Sequence, residues 1–235
     1  MRISVIIPTL NESGIIADQI QSIKSKAGAQ EVEVIVADAY SEDNTAAIAT
    51  EAGARAVLVE RCCRARQMNE GAKVANGDVY YFVHADLTIP DNFIEDILGG
   101  IANGHSYGCY QVAFDRSVKG LQFNSSLSKY QGICFRGGDQ TLYMTREFFR
   151  KIGGFDNGTI IMEDYEILLR ARKYEKINIM PGKVIISARK MEQNNYFRTN
   201  VINVLVFSLF FLGFSQKTLV NIYQRFVKGA KYRLE

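Results

Sequence analysis

The sequence predicts an α/β fold with a mainly parallel β-sheet flanked by helices. In the first half of the chain, short apolar runs alternate with amphipathic stretches, which is the pattern of strand–helix–strand units. The chain has 235 residues, of which 47% are hydrophobic and 23% charged. This length and composition allow one large domain with a full core.

Four strands are expected in the first half, at residues 3–8, 32–37, 55–60 and 79–83. Three helices connect them. The first lies within 12–26 and ends at Gly28, the second is capped by Ser41 or Asp43 and ends at Gly53, and the third covers 64–75. Consecutive strand–helix units of this kind indicate a Rossmann-like sheet, and ligands of such sheets bind beyond the carboxyl ends of the strands.

The second half is less regular. It suggests strands at 107–114 and 140–145, a short helix over 146–155 closed by Gly153, and an amphipathic helix over 163–174. Residues 177–181 and 183–187 suggest a terminal hairpin.

The charge distribution argues against a nucleic-acid partner. The net charge is +3, but from Lys217 onward there are five basic residues and one acidic residue. The rest of the chain therefore has 23 basic and 24 acidic residues and lacks the basic stripe that would neutralise phosphates. Four cysteines form no CxxC pair, and the N-terminus does not resemble a signal peptide, so we expect a cytoplasmic protein.

Polar residues follow the predicted strands at the edge where ligands bind. Pro8, Thr9 and Glu12 follow the first strand, Asp38 and Ser41 the second, and His84 and Asp86 the fourth. Taken alone, Ser41 is better explained as a helix cap or turn residue. For Asp38 and Asp86 we favour ligand binding.

Five segments in order resemble the motifs of family-2 glycosyltransferases, which have the nucleotide-diphospho-sugar fold called GT-A. These segments are VIIPTLNE, VIVADAYSEDNT, RARQMNEGAKVANGDVYYFVHAD, GGDQTLYMTREFFRKIGGF and MEDYEILLR. RARQMN followed by HAD resembles a small bacterial subgroup. The resemblance implies a catalytic domain over 1–190, with a nucleotide-sugar-binding half (1–114) and an acceptor half (115–190), followed by a helical appendage at 191–235.

The resemblance also implies roles for individual residues. The nucleoside would be bordered by Pro8, Thr9, Glu12, Asp38 and Ser41, with Asp38 accepting from the base. Arg64 and Arg66 would lie near the phosphates, since the guanidinium can bind phosphate through two hydrogen bonds; solvated helix arginines are the alternative. The other expected substrate-binding residues are Ala85, Gly138, Asp139, Glu163 and Arg189.

The family's usual Asp-x-Asp metal motif corresponds here to His84-Ala85-Asp86. The resemblance implies that Asp86 holds a divalent cation, Mn²⁺ or Mg²⁺, against the donor diphosphate. An imidazole is a poorer ligand for Mg²⁺ than for Mn²⁺. His84 is therefore either a second metal ligand or a hydrogen-bond partner near the metal.

Glu163 and Asp164 correspond to the family's acceptor-activating pair. Asp164 would take the proton from an acceptor hydroxyl that attacks the anomeric carbon, which inverts its configuration. The alternative is that both acids simply complement a helix dipole. The sequence has no QxxRW motif and no tryptophan, which favours a single transfer over polymer synthesis.

The C-terminal segment suggests two further helices. Residues 201–214 are apolar around the helix but too short to cross a bilayer. Gly213 is expected to end the first helix and Ser215 to cap a basic amphipathic second one. The pair could lie on the inner face of the cell membrane, favouring a lipid-linked acceptor, or pack on the catalytic domain or form a homodimer.

The sequence thus favours an inverting, metal-dependent transferase that moves a sugar from a nucleotide-diphospho-sugar, by default a UDP-sugar, to an acceptor hydroxyl. One alternative is a non-catalytic nucleotide-sugar-binding or membrane-scaffold module. A sugar-phosphate nucleotidyltransferase is less favoured, since PTLNESG after the first strand lacks the glycines and basic residues of a triphosphate-binding loop.

Overall fold

A computed structural model describes residues 1–60, 63–115, 129–130, 132–133, 136, 140–186 and 196–227. In chain order its strands and helices are β1 (Ile3–Thr9), α1 (Ile16–Ala27), β2 (Val32–Asp38), α2 (Thr45–Glu51), β3 (Arg55–Leu58), α3 (Arg64–Val74), β4 (Val79–Phe82), β5 (Leu87–Thr88), α4 (Phe93–Ala102), β6 (Tyr107–Phe114), β7 (Leu142–Thr145), α5 (Arg146–Lys151), α6 (Glu163–Ala171), β8 (Asn178–Ile186), α7 (Tyr196–Phe211) and α8 (Gln216–Phe226).

The strands form one sheet of eight in the order β3-β2-β1-β4-β7-β6-β8-β5. β1 is parallel to β2 and β4, and β2 is parallel to β3. β7 is antiparallel to both of its neighbours, and β6 and β8 are parallel to each other. The expected mainly parallel α/β sheet is therefore confirmed.

Two apolar cores cover the two faces of the sheet. Alternate residues of a strand point to opposite faces, so β1 contributes Val5 and Ile7 to the core under α1 and α4, and Ile6 to the core under α3, α5 and α6. Tyr81 and Phe82 of β4 divide in the same way. Burial on both faces explains why these strands are continuous apolar runs in the sequence.

The expected hairpin near residue 180 is wrong, because the structure has one continuous strand there. β8 pairs with β6 along its whole length, and the register shifts between Tyr110 and Gln111. Tyr110 pairs with Met180 and Gln111 with Lys183, so Pro181 and Gly182 form a bulge. Pro–Gly in the sequence favours a turn. Both residues also fit a bulge, where the strand bends and some hydrogen bonds to the neighbouring strand are missing.

Two elements were not predicted: helix α4 and the two-residue strand β5. The expected helix ends at Gly28, Gly153 and Gly213 are confirmed, since all three have positive φ angles of 58°, 81° and 80°. Ser215 caps α8 as expected, because its Oγ accepts a hydrogen bond from the Thr218 amide.

The last two helices pack on the body of the protein. α7 and α8 share a third apolar cluster, with Ile202, Val206 and Leu219 packed against Ile161, which lies just before α6. Phe207 of α7 also contacts Tyr165 of α6, with ring centroids 5.0 Å apart. In the parts of the chain described, no helix combines the length and apolarity needed to span a bilayer.

Candidate functional site

Thr9 and Asp38 close the paired ends of β1 and β2. The two residues are in register, and the Thr9 hydroxyl donates to Asp38 Oδ1 at 2.8 Å. Ser41 donates twice to the same carboxylate, from its Oγ at 2.5 Å and from its backbone amide at 2.8 Å. Asp38 is only 1% exposed. A buried carboxylate requires such donors, and here they also fix its orientation at the ligand edge of the sheet.

The loops after β1 and β2 are tied together by side-chain hydrogen bonds. The Ser41 hydroxyl accepts from the Asn11 amide at 2.8 Å, and the Thr45 hydroxyl accepts from the Glu12 amide at 2.9 Å. Asp43 accepts from the Ser13 amide at 3.0 Å and from Thr45. Burial acts to raise the pKa of Asp43, but the hydrogen bonds from Thr45 and Ser13 outweigh it and lower that pKa to about 2. Ser41 therefore connects two loops. The expected capping of α2 by Ser41 or Asp43 is wrong: the N-cap is Asn44, whose side chain makes no capping bond, and Asp43 accepts from the Thr45 amide from one position further back.

Four non-glycine residues in the described ranges have left-handed backbone conformations, and all four border this site. Asn11, Tyr40 and Asn44 lie in the two connected loops, and Met162 directly precedes α6, with φ angles of 54°, 51°, 64° and 68° respectively. Asparagine tolerates this region, whereas tyrosine and methionine rarely adopt it. Such strain is typical of functional segments held in place by their surroundings.

Pro8 lies just beyond the point where β1 stops pairing with β4. The Ile6 carbonyl accepts from the Val83 amide, so Ile6 faces β4, and Pro8, two residues further, faces the same side. The pairing of β1 with β4 ends at Ile6 and Phe82. The missing amide of Pro8 therefore breaks no ladder bond with β4.

Gln67 is a site residue that sequence reasoning missed. Its buried side-chain amide donates to the carbonyls of Thr9 and Ala37, each at 2.7 Å. It thereby anchors α3 across the ends of both strands. The sequence gives one signal of this role: Gln67 lies between Ala65 and Met68, which belong to the buried face of α3.

The start of α3 contacts the start of α6. Nη1 of Arg64 lies 3.6 Å from Oε1 of Glu163, an ion-pair distance too long for a hydrogen bond. Glu163 is 3% exposed, and Oε1 has no hydrogen-bond partner in the described part of the chain. Burial raises the pKa of this carboxyl, and the nearby Arg64 guanidinium only partly opposes the rise. Arg66 lies in the same first turn of α3 and is partly exposed.

Asp164 follows Glu163 in the first turn of α6 and is partly exposed. The chain just before it is held by the C-terminal helices, because Gln216 Oε1 accepts from the amides of Ile160 and Ile161, both at 3.0 Å. The segment that carries Asp164 is thus fixed from two sides, by Arg64 through Glu163 and by α8 through Gln216.

His84, Ala85 and Asp86 form the turn between β4 and β5. The Ala85 side chain belongs to the core, which leaves only its backbone to contact a ligand. His84 and Asp86 are partly exposed. Within the described ranges, no group of three or more His, Cys, Asp or Glu side chains could hold a metal ion. One carboxylate and one imidazole would fit a cation that also takes oxygen ligands from a bound diphosphate.

Three expected site residues, Gly138, Asp139 and Arg189, lie outside the described residues. The structure brings Thr9, Asp38 and Ser41 into one hydrogen-bonded cluster and joins Arg64 to Glu163. Pro8, Glu12, His84 and Asp86 lie at or just beyond strand ends, Arg66 lies in the first turn of the helix after β3, and Asp164 lies in the first turn of α6, which follows α5.

Residues 4–176 match the family described as Glycosyl transferase family 2, and the chain belongs to this family. Over 145 residues it is 28% identical to glucosyl-3-phosphoglycerate synthase of Mycobacterium tuberculosis, covering 58% of this chain and 43% of that protein. It is 32% identical to a dolichol-phosphate mannosyltransferase of Pyrococcus furiosus over 109 residues, covering 44% and 31%. The chain thus spans less than half the length of these curated relatives.

Solved structures confirm the expected GT-A fold. Superposition on S. aureus TarS in complex with UDP gives a TM-score of 0.66 at 17% identity, covering 96% of this chain and 70% of that one. A mannosyltransferase from Pyrobaculum calidifontis, in complex with GDP-Man and Mn²⁺, gives 0.67 at 20% identity, covering 87% and 62%. The M. tuberculosis synthase in complex with Mn²⁺, UDP and glucosyl-3-phosphoglycerate gives 0.58 at 21% identity, covering 79% and 70%.

Proposed function

We propose that this protein is an inverting glycosyltransferase that moves a sugar from a nucleotide-diphospho-sugar, by default a UDP-sugar, to an acceptor hydroxyl. The observation that carries the proposal is the contact between Arg64 and Glu163. It joins the first turn of α3, where a phosphate would bind, to the first turn of α6, which carries the candidate base Asp164. The first of these turns comes after β3, whose end pairs with Asp38 of β2, and the Arg64–Glu163 contact brings the second turn beside it.

The donor nucleoside would lie against the connected loops after β1 and β2. Asp38 Oδ2 accepts one hydrogen bond, from the Ser41 amide, and a carboxylate oxygen can accept a second. That remaining capacity suits the N–H edge of a base. Pro8, Thr9, Glu12 and Ser41 would border the base and ribose.

The donor diphosphate would lie between the start of α3 and the turn after β4. Arg64 and Arg66 place two guanidinium groups in the first turn of a helix, where the helix dipole also favours anions. Asp86, with or without His84, would hold Mn²⁺ or Mg²⁺ there. When bound, the cation would stabilise the negative charge that develops on the leaving diphosphate.

Asp164 would act as the general base. Its carboxylate takes the proton from the acceptor hydroxyl as the hydroxyl oxygen bonds to the anomeric carbon. The bond from that carbon to the diphosphate breaks on the opposite face, so the configuration inverts and the nucleoside diphosphate leaves. Glu163, being buried and paired with Arg64, would hold this turn in place and border the substrate.

The proposal divides the chain into a catalytic unit over 1–190 and a helical appendage over 191–235. One sheet runs through the described residues from β1 to β8, whereas α7 and α8 pack on the segment before α6 through a separate, third apolar cluster. Gly138, Asp139 and Arg189 remain assigned to the donor and acceptor. The acceptor is an unidentified alcohol, and a lipid-linked one is compatible with the exposed apolar helix α7.

A non-catalytic nucleotide-sugar-binding module is the second candidate. It is favoured by one observation, that His84 stands where the family's motif has a carboxylate and the described residues gather no three-ligand metal group. A nucleotidyltransferase is less favoured, because the loop after β1 has no basic side chain to hold a triphosphate.

The test is a titration of UDP, GDP and their sugar conjugates into the protein with Mn²⁺, with Mg²⁺ and with a chelator. Product release is then measured for the donor that binds. Asp164→Asn should retain donor binding and lose at least about a hundredfold in turnover, the usual contribution of a positioned base. Asp86→Ala should lose the metal-dependent part of donor binding.

Glu147→Gln provides the matched control. Glu147 is an exposed first-turn acid in α5, which follows the antiparallel strand β7 and therefore lies at the opposite edge of the sheet. Its loss should leave binding and turnover unchanged. Donor binding without sugar transfer to any acceptor or to water would support the binding module, and no nucleotide binding under any metal condition would refute the donor site.

A further inference from the structure

Helix α7 exposes a continuous apolar stripe on its outer side. Val201, Val204, Leu205, Phe211 and Leu212 are spaced as one face of a helix, and each is at least 40% exposed. Leu212 and Val204 are the most exposed, at 73% and 65%. We call these five residues the outer stripe of α7. Ser208 lies within it and donates to the Val204 carbonyl, so it interrupts the stripe only weakly.

The opposite side of α7 is already occupied. Ile202 and Val206 are buried against Ile161 and the apolar face of α8. α7 is therefore apolar on both sides, although only one side is needed for packing on the protein. Among the exposed residues of α8 are the polar or charged side chains of Lys217, Asn221, Gln224 and Arg225, as expected of a helix that faces water.

The segment of sequence that carries the stripe is basic. Between Gln193 and Leu234 the sequence contains six basic residues and no acidic residue. Arg198 is exposed and lies three residues before Val201, so it extends the stripe at one end. Its guanidinium lies 5.6 Å from the ring centroid of Phe226, and that of Arg225 lies 5.8 Å from the same centroid. An exposed apolar stripe that adjoins exposed arginines, in a segment of sequence without acidic residues, is unusual for a surface in contact with water.

We propose that the outer stripe of α7 docks on the surface of a bilayer that contains anionic lipids. Apolar side chains would enter the boundary between headgroups and acyl chains, while Arg198 and Arg225 remain at the level of the phosphates. A helix of 16 residues lying in this plane does not need to span the bilayer. This inference does not depend on the proposed sugar transfer.

Charge favours a lipid surface over a second copy of the chain. Two stripes packed against each other would bring together two segments that contain basic residues and no acids, and like charges oppose such contact. Anionic headgroups instead neutralise them. Each basic residue near an anionic surface strengthens binding by about fivefold at physiological salt, and several act together here.

The test is flotation of the purified full chain with vesicles of phosphatidylcholine alone, or of phosphatidylcholine with phosphatidylglycerol, at low and high salt. We expect binding to the anionic vesicles, weakening at high salt. Val204→Ser with Leu212→Ser should reduce the partition coefficient at least about tenfold, since both side chains lose their apolar contact. Arg198→Gln with Arg225→Gln should reduce it about 25-fold on anionic vesicles only.

The matched control is Leu58→Ser with Ile185→Ser. These side chains are also large, apolar and exposed, at 55% and 41%, but lie on strands β3 and β8. This variant should bind vesicles like the unchanged protein. Circular dichroism checks that all variants fold. The unchanged protein alone also tests the proposal, through its binding to the two types of vesicle.

Sedimentation analysis of the same samples distinguishes docking on a bilayer from packing against a second copy of the chain. A dimer that Val204→Ser with Leu212→Ser dissociates, without vesicle binding, would overturn the proposal in favour of a second copy. Equal binding to neutral and anionic vesicles at any salt would overturn the role of the charges. An absence of both vesicle binding and self-association would overturn the proposal entirely.

Discussion

Thr9 and Asp38, the last residues of two neighbouring parallel strands, lie in register and share a hydrogen bond of 2.8 Å. The Thr9 carbonyl is in turn held by Gln67. The carboxylate expected to contact the donor base is thus fixed by the sheet and by α3 before any ligand binds. Groups held in this way need no reordering on binding, which favours affinity.

Thr9→Val should destabilise the protein, because it removes one of the three hydrogen bonds to a buried carboxylate and keeps the shape of the side chain. We expect the free energy of unfolding in urea to fall by about 2 kcal/mol, the usual contribution of a hydrogen bond to a charged group. Donor affinity should fall as well. Thr50→Val is the control, since the Thr50 hydroxyl only donates to the Ala46 carbonyl on the surface of α2. Equal effects of the two changes would contradict the assigned role of Thr9.

The raised pKa of Glu163 predicts a specific pH dependence of stability. Below the usual glutamate pKa, the carboxyl is protonated in the folded and unfolded states alike. As the pH rises, the unfolded state ionises first, so this group's contribution to stability is lost until the pH passes the folded-state pKa. The difference in unfolding free energy between Glu163→Gln and the unchanged protein should therefore grow with pH across this range.

Arg64→Gln extends the same experiment. Without the guanidinium, the pKa of Glu163 should rise further, and the loss of stability with rising pH should be larger than in the unchanged protein. In the background of Glu163→Gln, the same Arg64 change should leave the pH profile nearly flat by comparison. A smaller pH-dependent loss in Arg64→Gln alone would show that the two groups do not interact as the geometry indicates.

Gln216→Ala should weaken both the fold and the candidate catalytic turn. It leaves the amides of Ile160 and Ile161 without their acceptor, and we expect a loss of about 2 kcal/mol in unfolding free energy. If Asp164 is the base, kcat should fall more than the donor KM changes. Gln216→Glu, which keeps an acceptor oxygen, should restore part of kcat. Asn221→Ala, on the exposed side of α8, should change neither the unfolding free energy nor kcat. An effect as large as that of Gln216→Ala would refute the link between Gln216 and the candidate catalytic turn.

Two adjacent glycines of α4 should respond in opposite directions to alanine. A Cβ on Gly100 would come within 2.4 Å of Asn178 Nδ2 and 2.5 Å of the Tyr143 hydroxyl, whereas nothing lies within 4 Å of one on Gly99. Gly100→Ala should destabilise by about 1–3 kcal/mol through overpacking. Gly99→Ala should stabilise by about 0.5–1 kcal/mol through helix propensity. Thermal unfolding of both variants tests the contrast, which would fail if the changes had the same sign.

The sequence predicts those strands and helices whose apolar pattern or end signal lies within their own residues. β1 and β4 are buried on both faces, β2 is buried over its last five residues, and the glycines that end α1, α5 and α7 mark those ends directly. α4 was missed because its paired glycines weaken the helical signal, although Gly100 is required by its approach to Tyr143. β5 has two residues and depends on pairing with Ile185 and Ile186 of β8, which are distant in sequence. The Pro181–Gly182 pair predicts a turn by its local sequence, whereas the pairing of β8 with β6 on either side of it makes it a bulge.

The site was predictable where a polar residue interrupts an apolar run. Asp38, His84 and Asp86 stand out in this way, and the resemblance to a family supplied their expected roles. Gln67 and Gln216 do not stand out, because each bonds to backbone groups at least thirty residues away. The pairing of Arg64 with Glu163 likewise joins two helix starts that only the tertiary fold brings together.

The four left-handed residues around the site imply a trade-off between stability and activity. Glycine at Tyr40 or Met162 would relieve the backbone and, by that measure alone, stabilise the fold. It would also free the segments beside Asp38 and Asp164 to adopt other conformations. Selection of this protein for heat resistance should therefore readily accumulate substitutions at these positions. The same substitutions should make the positions of Asp38 and Asp164 less well defined.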